Sequence, residues 1–183
     1  DKRLNHAPEE LHFGRRAVSD ETQRISVVRP PYNKEAEVER ALRSVLAQSL
    51  APREVVVVDD GSTDGSVAVV ERILEECRDT PIRLVRQANS GVSAARNRGI
   101  AEATGEYIAL LDADDWWLSG YLAEVCRLME YYPSADSYST AFDIVNNGKR
   151  TPAPVPEAEG WVDPAEEALK GRYAVIPSTA TLK

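Results

Sequence analysis

Cysteine, methionine and long apolar runs are scarce in this sequence. Its 183 residues include one methionine and two cysteines, Cys77 and Cys126. Each cysteine lies among apolar residues at helical spacing, where a reduced thiol behaves as a small hydrophobic side chain. We therefore expect neither a disulfide bond nor a cysteine-based metal site.

Signals for membrane insertion, secretion and nucleic-acid binding are also missing. No apolar run reaches the roughly 18 residues that a membrane-spanning helix needs, and no signal-peptide pattern opens the sequence. Positive charge is in deficit, because 22 Lys and Arg residues face 30 Asp and Glu residues and give a formal net charge of -8. Surfaces that bind nucleic acid need clustered Lys and Arg. The sequence predicts a soluble, cytoplasmic protein with no transmembrane segment and no nucleic-acid partner.

The composition otherwise fits one globular domain. The hydrophobic fraction is 43% and the charged fraction 28%, both near the average for soluble proteins. Residues 1–24 are densely charged and show no apolar period, so we predict a tail or linker there and a single domain over residues 25–183. The sequence ends at Lys183 just after an apolar stretch, and we expect it to be part of a longer protein.

Short β-branched runs alternate with amphipathic helical windows from Ile25 onward. The run Val55–Val58 is apolar without alternation, as expected for a strand that is covered on both faces. Asn33 is predicted to cap the first helix. This order predicts an α/β fold with a mostly parallel sheet flanked by helices. The predicted strands are 25–28, 55–58, 82–85 and 107–111, and the later predicted helices include 92–103 and 118–132.

The pattern weakens beyond Pro133. We predict a strand within 136–145, a hairpin-type turn at 146–148 and an irregular loop over 151–160, which contains three prolines. A short helix near 164–170 and a strand near 173–176 complete the predicted elements.

Two acidic clusters, Asp59–Gly65 and Asp112–Asp115, directly follow apolar strands. Ligands bind at the carboxyl ends of strands in open α/β sheets, and adjacent carboxylates repel one another unless something compensates them. Mg²⁺ and Mn²⁺ prefer oxygen ligands, so the second cluster predicts a site for such an ion. The competing interpretation is that Asp112 or Asp115 caps the next helix and that the other carboxylates are solvated.

Helix capping also competes for residues 59–65. In that interpretation Asp64 or Ser62 accepts backbone N–H groups and the glycines allow positive φ angles. We expect this role for Asp64. It does not account for Asp60, which leaves its strand toward the same edge as the second cluster.

Four segments carry a resemblance to a known family. They are SVVRPPYN at 26–33, VVDDGSTDGS at 57–66, NSGVSAARNRGI at 89–100 and GEYIALLDADDWW at 105–117. Their order and spacing resemble glycosyltransferase family 2. The resemblance implies the GT-A fold, a Rossmann-like sheet flanked by helices. It also implies inverting transfer from a nucleoside diphosphate sugar, foremost a UDP-sugar, to a carbohydrate or other hydroxyl acceptor, with Mg²⁺ or Mn²⁺ as cofactor.

The resemblance implies roles for individual residues. Pro30 and Tyr32 would border the nucleobase, and Asp60 would accept a hydrogen bond from the base or the ribose. Asp112 would lie near the ribose, and Asp114 would hold the metal ion against the diphosphate. A metal ion there would neutralise charge on the departing diphosphate.

Arg96 matches the ARN segment of the family. On the predicted helix it shares a stripe with Val92 and Ile100 and does not face solvent freely, so it needs an anionic partner. That partner is either the donor diphosphate or one of the aspartates. Trp116 and Trp117 are candidates for the wall of the acceptor side, with core packing expected for at least one of them.

The sequence departs from the family pattern at two positions. Arg29 stands where the family has an apolar strand residue, and Pro31 where it has a small one, so the base pocket is expected to differ in shape. The family's catalytic base lies beyond the strand near 173–176, and the sequence is expected to stop on the acceptor side before it. We name no base; the acidic residues in this region are Glu157, Glu159, Asp163, Glu166 and Glu167.

Three other functions compete with sugar transfer. A nucleotidyltransferase on a related sheet would carry a Gly-rich, basic loop after the first strand, which residues 30–33 do not provide. A phosphatase with an aspartyl nucleophile would also place a DxD after a strand, but the surrounding sequence does not match. The third alternative is a catalytically inactive, glycosyltransferase-like module that binds nucleotide and serves in protein interactions.

Overall fold

Four neighbouring parallel strands form the centre of the structure. The computed structural model describes residues 24–77, 81–135 and 137–153 and the backbone of 180–182. The helices are α1 (Glu35–Leu46), α2 (Ser66–Glu76), α3 (Val92–Glu102) and α4 (Tyr121–Tyr131). The strands are β1 (Ile25–Arg29), β2 (Glu54–Asp59), β3 (Ile82–Arg86), β4 (Tyr107–Leu110), β5 (Ser137–Ser139), β6 (Asp143–Asn146), β7 (Lys149–Pro152) and β8 (Ala180–Leu182).

The main sheet has the order β3-β2-β1-β4-β8-β5, and β6 and β7 form a separate hairpin. β1 pairs in parallel with β2 and β4, and β2 pairs in parallel with β3. β8 is antiparallel to both of its neighbours. Parallel neighbours need a crossover connection, which α1, α2 and α3 supply in turn. The predicted α/β fold with a mostly parallel sheet is therefore confirmed.

Both faces of the parallel strands are buried. Because side chains alternate along a strand, Val55 and Val57 of β2 pack in the larger core cluster, and Val56 and Val58 pack in the smaller one. The larger cluster includes residues of α1, α2 and α4, and the smaller cluster includes Ala95 of α3. This burial on two faces explains the continuous apolar run of β2.

Helix α3 approaches the sheet closely because its contact residues are small. A Cβ atom added at Gly99 would lie 2.3 Å from Val28 Cγ1 and 3.2 Å from Val58 Cγ2. Ala95, one turn earlier on the same helix, is fully buried. A larger side chain at position 99 would push α3 away from β1 and β2.

The predicted cap of α1 is wrong. Lys34 immediately precedes the helix, and no side chain caps it from that position. Asn33 instead adopts a positive φ of 49°, and its Oδ1 accepts a hydrogen bond from the N–H of Thr63 at 2.8 Å. The Asn33 side chain thus serves a long-range contact between two loops, which local sequence does not reveal.

The C-terminal predictions are confirmed in part. The predicted strand within 136–145 is divided into β5 and β6. The turn at 146–148 joins β6 and β7, and Asn147 and Gly148 both have positive φ angles there. Residues 151 and 152, predicted as loop, belong to β7. Ala153 follows β7 outside regular secondary structure, as predicted, and residues 154–160, the helix near 164–170 and the strand near 173–176 lie outside the described residues.

Folded contacts begin at the first described residue, Arg24. Its guanidinium group forms an ion pair with Glu106 at 2.7 Å. The predicted tail otherwise lies outside the described residues, so it stays a prediction. Cys126 is buried and Cys77 half-buried, and both are reduced thiols. Within the described part of the chain, no helix is long and apolar enough to cross a membrane.

A buried carboxylate joins three elements at the amino edge of the sheet. Glu54 Oε1 accepts hydrogen bonds from Ser26 Oγ at 2.9 Å and from the N–H and Oγ1 of Thr104 at 2.6 and 2.7 Å. Glu54 Oε2 accepts one from Arg83 Nη2 at 3.0 Å. Burial by itself raises the pKa of Glu54, but these hydrogen bonds outweigh it and lower that pKa to about 2.

We expect Glu54→Gln to lower the free energy of unfolding by about 1–3 kcal/mol at pH 7, because an amide cannot satisfy all of these donors. The depressed pKa means that ionised Glu54 stabilises the fold above the unfolded-state pKa, about 4.3, and that this contribution is lost as the pH falls toward 2. Urea unfolding at pH 7 and pH 3.5 should therefore show a smaller difference between variant and wild type at pH 3.5.

Glu39→Gln is the control for this comparison, since Glu39 pairs with Arg43 and Arg72 on the surface, where ion pairs contribute little. A difference for Glu54→Gln that does not depend on pH would contradict the assignment.

Candidate functional site

Three loops meet at the carboxyl edge of the parallel strands. They follow β1, β2 and β4, which are neighbours in the sheet and run in the same direction. The loop after β4 contains Asp112–Asp115, which we call the acidic loop. Because β1 lies between β2 and β4, the acidic loop and Asp60 flank the end of β1. The topology thus places both predicted acidic clusters on one edge.

Asp60 is buried and fixes the loop before α3. Its Oδ1 accepts hydrogen bonds from Gln87 Nε2 at 2.7 Å and from the N–H of Ser90 at 2.9 Å, and its Oδ2 accepts one from the N–H of Gly91 at 2.8 Å. A carboxylate has about four acceptor positions, and these three hydrogen bonds occupy most of them. The predicted contact of Asp60 with a base or ribose stays a prediction.

The loop after β2 lies tightly against the loop before α3. Gly61 has a φ of 76°, and a Cβ atom added there would lie 2.9 Å from the backbone nitrogen of Asn89. Both the backbone angle and the close approach favour glycine at this position. The two loops are therefore fixed relative to each other on either side of Asp60.

Asp64 has the capping role expected from the sequence, and it extends to a second helix. Its Oδ1 accepts hydrogen bonds from the N–H of Ser66 at 3.0 Å and from Ser66 Oγ at 2.5 Å, at the start of α2. Its Oδ2 accepts one from the N–H of Glu35, the first residue of α1, at 3.1 Å. These bonds lower the pKa of Asp64, with the Ser66 hydroxyl as the largest cause.

Asp112 is bound to α3. Its Oδ1 accepts a hydrogen bond from Arg96 Nη2 at 2.5 Å, and both side chains are about one quarter exposed. Of the two partners predicted for Arg96, the structure therefore shows the aspartate. The predicted shielding of Arg96 by its stripe is wrong, because Val92 and Ile100 are exposed. Arg96 is shielded because it folds against the acidic loop.

Asp114 projects from the acidic loop and is 60% exposed. Its Oδ2 lies 3.2 Å from Lys34 Nζ, and its carbonyl oxygen accepts a hydrogen bond from Arg40 Nη2 at 3.1 Å. Partial burial raises the pKa of Asp114, but the Lys34 hydrogen bond and the attraction of Lys34 and Arg29 outweigh it and lower that pKa. Asp114 is thus ionised at neutral pH.

Lys34 and Arg29 contact the acidic loop, although neither was predicted as a site residue. Arg29 is fully buried at the end of β1, and its Nη2 donates a hydrogen bond to the carbonyl oxygen of Ala113 at 2.8 Å. Burial lowers the pKa of Arg29 to about 10, which leaves it charged at neutral pH. The one signal in the sequence was a cation inside an apolar strand. Lys34 had no comparable signal.

Aromatic and proline residues surround the same edge. Pro30 is buried and Tyr32 is 45% exposed. Trp117 is buried and stacks on Tyr121 with ring centroids 4.3 Å apart, which confirms core packing for one of the two tryptophans. Trp116 is partly exposed, and the Arg40 guanidinium lies 4.0 Å from the centroid of its ring.

The oxygen atoms of the acidic loop fit a metal ion that is bound jointly with a substrate phosphate better than an ion that is held by protein ligands alone. Among the described residues, no three His, Cys, Asp or Glu side chains are grouped closely enough to hold an ion by themselves. Mg²⁺ commonly takes only one or two carboxylates and completes its shell with water and substrate phosphates. The exposed oxygens of Asp114 match that requirement. The five acidic residues between 157 and 167 lie outside the described residues.

Comparisons with known proteins agree on one family. The profile described as Glycosyl transferase family 2 matches residues 26–172. An uncharacterised glycosyltransferase of Nostoc sp. is 40% identical over 130 residues, which is 70% of this chain and 39% of the relative. The uncharacterised glycosyltransferase YibD of Escherichia coli is 41% identical over 98 residues, which is 54% of this chain and 28% of the relative. The chain thus spans well under half of these relatives.

Solved structures show the same architecture. The mannosyltransferase PcManGT of Pyrobaculum calidifontis, in complex with GDP-Man and Mn²⁺, has a TM-score of 0.58 at 35% identity. The match covers 63% of this chain and 34% of the mannosyltransferase chain. TarS 1–349 of S. aureus, in complex with UDP-GlcNAc, has a TM-score of 0.63 at 28% identity. This match covers 74% of this chain and 38% of the TarS chain. The parallel four-stranded sheet flanked by helices matches these structures, and the predicted GT-A fold is confirmed.

We expect Asp60→Asn to lower the free energy of unfolding by about 1–3 kcal/mol, because an amide group would face a backbone N–H that has lost its acceptor. Urea unfolding followed by circular dichroism measures this change. Asp114→Asn is the matched control, since it removes one exposed ion pair and should cost under about 1 kcal/mol. Equal unfolding midpoints for the two variants would contradict the structural role of Asp60.

Proposed function

The chain belongs to glycosyltransferase family 2, and on that basis we propose that the protein transfers a sugar from a nucleoside diphosphate sugar to an acceptor hydroxyl group. The observation that carries this proposal is the carboxyl edge of the sheet. There Asp60 from β2 and the acidic loop from β4 flank the end of β1, inside the segment that matches the family. Ligands of open α/β sheets bind at such an edge.

We propose a UDP-sugar as the donor. Both neighbours named above were solved with a nucleotide sugar, GDP-Man in one and UDP-GlcNAc in the other. The exposed ring of Tyr32 would stack on the base, with the buried Pro30 fixing the backbone beneath it. The remaining acceptor position of Asp60 would take a hydrogen bond from the base or the ribose, and Asp112 would lie near the ribose.

Asp114 is the proposed ligand for Mg²⁺ or Mn²⁺. One neighbour was solved with Mn²⁺, and the Asp114 carboxylate is exposed and ionised. When bound, such an ion would neutralise charge on the departing diphosphate. Asp114 would exchange its ion pair with Lys34 for the ion, while Arg96 keeps Asp112 fixed beside it.

On the acceptor side, we propose direct attack by an acceptor hydroxyl group. Transfer with inversion requires the acceptor hydroxyl to attack the anomeric carbon opposite the diphosphate, and a carboxylate base would assist that attack. We assign no residue to this role, because the candidate acidic residues lie outside the described part of the chain. The cytoplasmic location expected from the sequence remains a prediction.

We predict that UDP binds more tightly with Mn²⁺ than with EDTA, because the ion would bridge Asp114 and the diphosphate. Isothermal titration calorimetry under both conditions measures the gain. In Asp114→Asn most of the gain should disappear, since the ion loses its charged ligand. If the wild type binds UDP equally tightly in Mn²⁺ and in EDTA, the proposal that a metal ion assists binding is contradicted.

Asp64→Asn is the matched control for Asp114→Asn. It removes a carboxylate that caps α1 and α2, so it should lower stability by about 1 kcal/mol and leave the Mn²⁺-dependent gain in UDP affinity unchanged. If both variants lose the gain equally, the loss does not report on a metal ligand.

Turnover separates a transferase from a nucleotide-binding module without activity. We predict release of UDP from UDP-sugars in the presence of Mn²⁺ and a panel of hydroxyl acceptors, faster than release of GDP from GDP-sugars. A coupled assay of the released nucleotide measures both rates. Mn²⁺-dependent binding of UDP without any release of nucleotide from either donor class would favour the inactive module.

A further inference from the structure

Arg29 occupies an unusual place for a charged residue. It is the last residue of the central strand β1, between β2 and β4, and none of its surface is exposed. Its Nη2 donates to the carbonyl oxygen of Ala113, in the middle of the acidic loop. The guanidinium group therefore lies beneath the loop that carries Asp112 and Asp114.

Hydrogen bonding does not account for this buried cation. Arg29 Nε and Nη1 are buried and have no hydrogen-bond partner within the described part of the chain. Taking a charge out of water is unfavourable unless other charges compensate it, and an apolar side chain of similar size would fill the same space without that cost. Packing alone thus gives no reason for arginine at this position.

Three carboxylates attract the Arg29 guanidinium group, and two of them belong to the proposed donor site. Asp114 attracts it most, followed by Asp112 and then Glu37 in the first turn of α1. Lys34 and Arg40 also contact the acidic loop, but they do so from its solvent side. Salt screens interactions between exposed charges far more than those of a buried charge. Arg29, together with the partly buried Arg96 that pairs with Asp112, is therefore a cation whose effect on the loop persists at physiological ionic strength.

We propose that Arg29 is a positioning residue that acts as a built-in counter-cation of the acidic loop. It anchors the loop backbone at Ala113 and offsets the repulsion between Asp112 and Asp114 before any ligand binds. The same positive charge weakens the affinity of the loop for a free divalent ion, so that the ion binds well only together with the anionic diphosphate. This inference rests on the proposed metal site at Asp114.

The test is the affinity for Mn²⁺ in the absence of nucleotide, read from the electron paramagnetic resonance signal of the free ion. Arg29→Gln removes the charge and keeps a donor, Arg29→Met removes both, and Arg29→Lys keeps the charge. We expect Mn²⁺ to bind about tenfold more tightly to the Gln and Met variants, as the Coulomb energy of nearby like charges suggests. The Lys variant should bind like the wild type.

Circular dichroism and thermal unfolding establish first that each variant folds. Arg29→Met is expected to fold because an apolar residue replaces a buried charge that is paired in register with the buried Val57, and it carries the test by itself if Arg29→Gln does not fold. Adding Asp114→Asn to either variant should abolish the gain in Mn²⁺ affinity, which ties the gain to the acidic loop.

The outcomes separate the inference from the function on which it rests. Mn²⁺ binding that is tighter in the Gln and Met variants but not in the Lys variant supports the role of Arg29. Equal or weaker binding in the uncharged variants, or a gain shared by the Lys variant, overturns that role and leaves the metal site standing. Absence of Mn²⁺ binding in the wild type and in every variant overturns the role of Arg29, and only UDP affinities that are also equal in Mn²⁺ and in EDTA overturn the metal site as well.

Discussion

Compensation of negative charge at the carboxyl edge of the sheet is the constraint on which the rest of this structure depends. Parallel pairing of β2, β1 and β4 brings Asp60 and the acidic loop to one edge. Carboxylates so placed need nearby donors or cations. Asp60 receives three hydrogen bonds, and Asp112 and Asp114 receive Arg96 and Lys34. Each of these partners comes from an element that must be in place before the edge is stable.

The partners also connect the site to the helices. Asp60 and Asp112 hold α3 at its start and at its middle, while Asp64 joins the starts of α1 and α2. Gly99 lets α3 lie directly on β1 and β2. The loops at the edge are therefore positioned by packed elements, which is what a preorganised binding site requires. Stability and ligand geometry depend on the same few carboxylates.

Glu54 at the amino edge of the sheet and Asp114 at its carboxyl edge differ in burial and in their partners. At the amino edge, Glu54 is buried and its donors are all supplied by the fold, which lowers its pKa to about 2. At the carboxyl edge, the Asp114 side chain remains largely exposed and pairs with the ammonium group of Lys34. A closed network serves stability alone. An open carboxylate beside replaceable cations can exchange a partner for a ligand, and that difference marks the functional edge.

The sequence by itself determined the elements of the parallel sheet, the family, the capping role of Asp64 and the positions of the acidic clusters. The elements and the acidic clusters follow from local patterns such as the apolar run of β2, and the family follows from the order and spacing of four short segments. Only the tertiary structure decided that Asn33 contacts Thr63, that β8 pairs with β4 and β5, and that Lys34 and Arg29 compensate the acidic loop. Arg29 and Ala113 are 84 positions apart. Contacts over such separations arise from the packing of whole elements, which no local pattern of residues encodes.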